Sequence, residues 1–415
     1  MPDPDEVPPL LTAPAELAGL VDHLRERGRF AFDTEFVSED TYEPVLGLIQ
    51  LATDDRLALV DPLAMRPDDL APFWEALNDP AIEVVMHAGG EDLRIVHLRS
   101  GRLPDRVVDV QVSAGLVGFS YPLSLGNLVG QALGIHLAGG ETRTDWRRRP
   151  LSPAQLRYAI DDVRHLLRLA DQIEDRLADW GRTDWAEAES AGLLAGVVAR
   201  SDEDRWRRLP GLAGLNRRAL EAARRLYLWR LDDARRANRP LRYLLRDDLL
   251  VAVAKRLPAS RADLEALRDF QRSHVVGRTA ELLSAVAAAR STPDADLPAP
   301  FERHDDGSGL AMAVSLLGAA LSYCCARYKV APSLVGTASD LRDLVRWHVA
   351  GRRAADPPAL ALGWRAATCG DLLLEILDGR RALRLVDPLA DVPVALEPDP
   401  GPAPPPVGFD RGANS

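Results

Sequence analysis

From residue 15 to about residue 180 the apolar positions switch repeatedly between two periods. Residues 29–36 (RFAFDTEF), 46–52 (LGLIQLA), 57–60 (LALV) and 82–87 (IEVVMH) are short apolar runs rich in branched and aromatic side chains, which predicts strands. Residues 15–27, 68–78, 91–100, 124–133 and 153–177 show helical spacing, and the last opens with Ser152 as N-cap and Pro153 at the first helical position. Alternation of the two kinds predicts an α/β layer domain over 15–195. After residue 190 the strand signal largely disappears. Residues 216–238, 247–256, 260–270 and 277–290 have helical spacing, with breaks at Asn238-Arg239-Pro240, Pro258 and Gly277. This predicts a linker at 196–211 and an all-helical domain at 212–291. A second linker, 291–300 (STPDADLPAP), precedes helices around 310–328, 337–350 and 368–378. They form a region of similar rhythm at 301–385, read as a diverged repeat. Residues 1–14 are expected to be a flexible leader, and 397–415 a Pro/Gly-rich tail with too little apolar surface to order itself.

Composition narrows the class. A chain of 415 residues accommodates several domains. Cys324, Cys325 and Cys369 cannot make a secreted disulfide framework, since two are adjacent, so a reducing cytoplasmic setting is expected. No apolar run is expected to approach the ~18–20 residues that span a bilayer, and the start MPDPDEVPPL resembles no signal peptide. No membrane partner and no obligate protein partner are inferred. The net charge of −11 argues, taken whole, against a nucleic-acid partner. Its distribution does not: residues 1–110 hold 23 acids and 9 bases, whereas 205–256 hold 15 bases and 5 acids.

Three segments carry candidate chemistry. On a strand, residues two apart share a face, so Asp33 and Glu35 project together while Phe30, Phe32, Thr34 and Phe36 line the other side. Adjacent carboxylates repel one another unless a cation lies between them; two solvated acids on an exposed sheet face have the same pattern. Glu91 and Asp92 follow a strand and the Gly89-Gly90 pair, at a helix start where acids also complement the dipole. Tyr158 and Asp162 lie four apart on one helix and share a face.

In this order, D-x-E, then E-D-L, then Y-x-x-x-D resemble the DEDD exonuclease superfamily in its tyrosine-containing subclass. The segments FDTEF, TYEPVLGLIQLA, LALVDPL, MHAGGEDLRIV, VVDVQV, RTDWRRRPLS and QLRYAIDDVRHLL run in the order expected of bacterial ribonuclease D. The resemblance covers roughly residues 15–385. Residues 212–291 resemble the HRDC domain (helicase and RNase D C-terminal), and 301–385, with LRDLVRWH and LGWRAATCGDLLLEIL, resemble its diverged second copy. The resemblance implies an RNase H-like α/β exonuclease domain, a mixed sheet flanked by helices, followed by two all-α HRDC-like domains. It implies 3′–5′ exoribonuclease activity with two divalent ions, Mg²⁺ or Mn²⁺, releasing nucleoside 5′-monophosphates from RNA with an accessible single-stranded 3′ end. Processing of tRNA precursors and maturation of small stable RNAs go with the family. Asp33, Glu35 and Asp162 would hold the ion nearer the nucleophile, Asp33 bridging to the second, and Asp92 would complete the site partly through water. Tyr158 would orient the attacking water. Asp161 is expected to face solvent, some 100° from Asp162 around the helix. Glu91 is set aside in favour of Asp92, and His87 and His165 take structural roles. Asp109 and Gln111 match a recurring D-x-Q, read as fold support or pocket wall.

Substrate contacts are read more broadly. Tyr42 and Gln50 are candidates to hold the terminal nucleotide, or are strand and core residues. Arg143, Arg147, Arg148 and Arg149 beside Trp146 combine phosphate-binding cations with a ring that could stack on a base, or form a solvated loop. Ser38-Glu39-Asp40 and Glu43 stand where relatives often carry basic or aromatic residues. The arginines of 217–246 are candidates for RNA backbone contacts or for pairing with the acidic domain. A DNA exonuclease of the same superfamily is the alternative, because the metal motifs do not separate ribose from deoxyribose. An inactive RNA-binding scaffold would lack a carboxylate, yet all four are present.

Overall fold

The computed structural model describes residues 7–137, 139–140, 144–199, 204–272, 274–301, 307–352 and 356–398. The first domain runs β1 (Leu10–Leu11), α1 (Pro14–Arg27), β2 (Arg29–Val37), β3 (Val45–Ala52), β4 (Leu57–Val60), α2 (Ala71–Leu77), β5 (Glu83–Met86), α3 (Gly90–Ser100), β6 (Arg106–Asp109), α4 (Val110–Gly115), α5 (Leu125–Leu133), α6 (Pro153–Arg164), α7 (Leu166–Asp179) and α8 (Thr183–Val198). Its sheet has the order β1-β4-β3-β2-β5-β6. Strands β2, β3 and β4 pair antiparallel, while β1 on β4 and β5 and β6 beside β2 are parallel. The sheet is therefore mixed, as expected. The expected helix 153–177 divides at His165 into α6 and α7.

Both faces of the sheet are covered, and alternation along β2 and β3 decides what goes where. Phe30, Phe32, Ile49 and Leu51 pack with Leu17, Leu20 and Leu24 of α1, Phe73 of α2 and Leu93 of α3. Ala31, Leu48 and Ala52 pack on the opposite face with Ala159, Ile160 and Val163 of α6 and with Leu169 and Ile173 of α7. Helix α1 starts where the Glu16 carboxylate accepts the Thr12 and Ala13 N–H groups (3.1 Å each), and it ends at Gly28, whose φ of 67° suits glycine.

Several expectations are corrected. Within the expected leader 1–14, Leu10 and Leu11 add a parallel edge strand to β4 and Leu11 is buried, while residues 1–6 lie outside the described residues. The linker 196–211 is not free: α8 reaches Val198, and Trp206, Leu209 and Leu212 pack into the next core. Strand β6 (RVVD) has only two apolar residues between charged ends, too few for its pattern to stand out.

The first helical domain, α9 (Arg217–Ala237), α10 (Leu241–Leu244), α11 (Asp247–Arg256), α12 (Arg261–Glu265) and α13 (Thr279–Ser291), has its own core around Leu226, Tyr227, Leu250 and Leu282. Many of its arginines serve this fold. Glu221 is fully buried between Arg224 (2.8 Å) and Arg225 (2.6 Å), buried Arg230 donates to the Leu245 carbonyl (2.6 Å) and to Asp247 (2.7 Å), and Arg217 donates to the Leu297 carbonyl (2.7 Å).

The second helical region, α14 (Leu310–Tyr328), α15 (Pro332–Val335), α16 (Ala338–Val349), α17 (Gly363–Arg365) and α18 (Asp371–Leu377), shares the α6–α7 core of the first domain. A hairpin of β7 (Ala382–Leu385) and β8 (Val394–Glu397) follows, so ordered structure passes the expected domain end at 385 and reaches the first residue of the expected tail. Trp364 stacks on Trp185 at 4.8 Å, and Arg365 pairs with Glu189 (2.6 Å). Buried Arg182 donates to the Leu116 and Tyr328 carbonyls, and burial lowers its pKa to about 10. Contrary to expectation, α14 is long and apolar enough by composition to cross a membrane. Its buried residues Leu317, Ala320, Leu321, Cys324 and Cys325 instead belong to this shared core.

Candidate active site

Helix α6 is fixed at its start by a reciprocal cap. Ser152 Oγ accepts the Gln155 N–H (3.1 Å), and Gln155 Oε1 accepts the Ser152 N–H (2.9 Å). With α6 packed on the β2–β3 face, Asp162 meets Asp33 and Glu35: one carboxylate oxygen from each lies within 4.8 Å of the other two. Strand β2 pairs with β5 only through Ala31, so the edge of residues 33–37 on that side is left without a strand partner. The first turn of α3 follows the end of β5. Thr34, on the face opposite Asp33, donates its hydroxyl to the Asp92 carboxylate. Asp92 is 7% exposed and stands outside the close trio.

The turn that delivers Asp92 is itself braced. A Cβ at Gly89 would lie 2.0 Å from Met86 Sδ, so any side chain there would force the buried Met86 to shift. Ala88 has φ 56°, a left-handed conformation that costs an L-residue about 1–2 kcal/mol. Buried Asp109 accepts the Ala88 N–H at 3.1 Å and the Gly89 N–H at 3.0 Å, and it caps α4 through the Gln111 N–H at 2.9 Å. Gln111 Nε2 donates to the Leu123 carbonyl (3.0 Å), which His87 Nε2 also contacts (2.9 Å). Asp109→Asn would present an amide donor where the network needs an acceptor. The expected result is a loss of about tenfold or more in activity together with weaker metal affinity, as for partners that hold metal ligands in place. Rates titrated against Mg²⁺ and melting curves check it.

Burial dominates the electrostatics. It holds Asp33 well above the usual carboxylate range, with Asp92, Asp162 and Glu35 adding repulsion. Glu35 is pushed to about 8 by burial and then by Asp162 and Asp92. Asp162 is raised to about 7 by burial, against a hydrogen bond from Tyr158. Asp92 is raised to about 6 by burial, against the Thr34 hydroxyl. Among the described residues the largest causes of these four shifts are burial, neighbouring carboxylates and hydrogen bonds, with no cationic side chain among them. Hard oxygen donors gathered without a counter-charge are the donor set that Mg²⁺ or Mn²⁺ takes, so these residues fit a divalent cation.

The neighbours set aside in sequence fall elsewhere. Glu91 is exposed and lies 3.4 Å from Arg94. Asp161 is half-buried, not solvent-facing, at 3.8 Å from Arg164. His165 sits at the α6–α7 junction.

The candidate substrate contacts are not brought together in this site. Trp146 is 1% exposed and packs its ring 6.2 Å from Tyr158, so it supports the tyrosine from within the core and has no free face for a base. Gln50 is 0% exposed on β3 and cannot touch a nucleotide from there. Tyr42 lies at a domain contact: its N–H donates to Asn238 Oδ1 (3.1 Å), and Arg235 donates to its hydroxyl (3.3 Å). Arg147 is held by Asp145 (2.8 Å), and Arg149 clamps Asp61 (2.6 Å) and the Gly47 carbonyl (2.7 Å). Arg148 is exposed, and Arg143 lies outside the described residues. Sequence reasoning missed Thr34 as a support of Asp92, whereas Asp109, read there as fold support or pocket wall, braces the turn that delivers Asp92. The one signal for Thr34 was a hydroxyl in an otherwise aromatic row, Phe32-Thr34-Phe36.

Comparison with known proteins agrees with this geometry. A 3′-5′ exonuclease family model matches residues 10–178, and an HRDC domain model matches 219–286. Ribonuclease D of Gluconacetobacter diazotrophicus is 38% identical over 381 residues, covering 91% of this chain and 94% of the relative. Ribonuclease D of Escherichia coli is 31% identical over 370 residues, covering 89% and 96%. The crystal structure of E. coli RNase D, described as an exoribonuclease involved in structured RNA processing, superposes with a TM-score of 0.78 at 29% identity, covering 89% of this chain and 98% of that one. With its carboxylates converging inside an exonuclease fold and relatives this similar over nearly the whole length, the chain belongs to the ribonuclease D family of 3′–5′ exoribonucleases.

Proposed function

We propose that Asp33, Glu35 and Asp162 hold one divalent ion, Mg²⁺ or Mn²⁺, that Asp33 and Asp92 hold a second, and that Tyr158 positions the attacking water. The observation that carries this reading is the convergence of three carboxylates from a strand and a helix to within 4.8 Å. When bound, such ions neutralise charge developing on the phosphoryl oxygens and make water acidic enough to attack at neutral pH. The chain's own part is orientation. Tyr158, hydrogen-bonded to Asp162 and backed by buried Trp146, keeps its hydroxyl beside the cluster, where it can orient a water toward the 3′-terminal phosphodiester. Attack at phosphorus breaks the P–O3′ bond, leaving a 3′-hydroxyl on the shortened RNA and a nucleoside 5′-monophosphate as product.

The substrates proposed are tRNA precursors and other small stable RNAs with a single-stranded 3′ end, met in a reducing cytoplasm where the buried cysteines stay free. The domain bounds we adopt are 10–198 for the exonuclease, 204–291 for the HRDC domain and 307–397 for a diverged HRDC-like domain with its hairpin. The test is to incubate the protein with 3′- and 5′-labelled single-stranded RNA and DNA of one sequence, with Mg²⁺, Mn²⁺ or EDTA. Stepwise shortening from the 3′ end of RNA, abolished by EDTA, is expected. Activity persisting in EDTA would overturn the metal assignment, and a preference for DNA the substrate.

A further inference from the structure

Gln50 sits in the middle of β3 and is 0% exposed, and neither its Nε2 nor its Oε1 has a hydrogen-bond partner among the described residues. A buried primary amide in that state is destabilising, and an apolar side chain of similar shape would not be. Its neighbours within the sheet give no structural reason for an amide. Along β3 the neighbours on its face are Leu48 and Ala52, both buried in the α6–α7 core. Across the sheet its partner on β4 is Leu59, fully buried and apolar. Its partner on β2 is Asp33. Directly opposed side chains of antiparallel strands have Cβ atoms about 4.5–5.5 Å apart, within reach of an amide and a carboxylate. Among these four neighbours Asp33 alone can accept a hydrogen bond.

We infer that Gln50 is a positioning residue of the metal centre, its Nε2 reserved as the donor that holds the Asp33 carboxylate in its cation-binding orientation. An ionised carboxylate offers about four acceptor positions, so Asp33 can take this bond and still present oxygen to a cation. Buried partners of this kind fix the rotamer of a ligating carboxylate. The assignment explains why a polar side chain is kept at a position sealed from the substrate. It rests on the reading that the carboxylates hold divalent cations.

The experiment is a Mn²⁺ titration of the full-length protein without RNA, followed by the electron paramagnetic resonance of free Mn²⁺, alongside melting curves in EDTA. Gln50→Leu keeps the shape and removes the amide. The expected result is a metal-free melting temperature at or above that of the unmodified protein, with Mn²⁺ affinity lowered about 10–100-fold. Gln50→Met, of similar length, should behave alike and carries the test if the leucine variant does not fold. Unchanged Mn²⁺ affinity in either folded variant would overturn the inference. Failure of both to fold would overturn it too, since the amide would then serve the fold. Absence of Mn²⁺ binding in the unmodified protein would instead sink the underlying cation reading, which keeps the two failures distinct.

Discussion

Asp33→Asn is expected to reduce RNA trimming by at least about a hundred- to a thousandfold, the scale of losing one group that stabilises transition-state charge. The substitution is isosteric, so shape is kept and a single charge is removed from a cluster whose members already repel one another. Stability of the metal-free protein should hold or rise, because burial and three neighbouring carboxylates all oppose ionisation of Asp33. Loss of activity without loss of fold is thus the expected signature, read from single-turnover trimming and a melting curve. Glu91→Gln is the matched control: Glu91 is exposed and beside Arg94, and its replacement should leave the rate unchanged. An Asp33→Asn protein that trims within about tenfold of the unmodified rate would remove Asp33 from the centre.

Without divalent ions, the fold should lose stability as pH rises from about 4 to 8, and Mg²⁺ or Mn²⁺ should restore it most at the alkaline end. The unfolded carboxyls have ordinary values of 3.8 and 4.5, whereas the folded ones reach about 6 for Asp92, about 7 for Asp162 and about 8 for Glu35. Between these limits the folded chain binds more protons than the unfolded one, so raising pH favours unfolding. The contribution is complete below the unfolded values and is lost as pH passes the folded ones. A bound cation takes the place of those protons, and stabilisation by a ligand of the folded state follows mass action. Melting temperatures in EDTA from pH 5 to 8, repeated with Mn²⁺, measure it. A flat metal-free profile, or an equal Mn²⁺ shift at both ends, would contradict the clustered arrangement.

Legibility followed how local each feature is. The strands that build the centre of the sheet were readable because their apolar runs are complete within one element, and α6 because Ser152, Pro153 and Gln155 specify its start. The edge strands β1 and β6 were not, since each offers only two apolar residues and gains its structure from a neighbour. The arginines of 217–246 were read as RNA backbone contacts or as partners of the acidic domain. Folding places Glu221, Asp247 and several carbonyls beside them, and no spacing rule indicates which guanidiniums are so engaged.

Four carboxylates and a tyrosine, their order, and the strand and helix positions that let Asp33 pair with Glu35 and Tyr158 with Asp162 were determined by the sequence alone, because periods of two and of 3.6 residues act within single elements. Which of the surrounding polar and aromatic residues touch solvent was decided only by the tertiary structure. Trp146, set among arginines like a base-stacking ring, is buried against Tyr158; Gln50 is sealed beside Asp33; Tyr42 is spent on the contact with α9. Burial depends on what arrives from distant parts of the chain. Here α6, the loop before it and the first helical domain close over residues that the local pattern would have left at the surface.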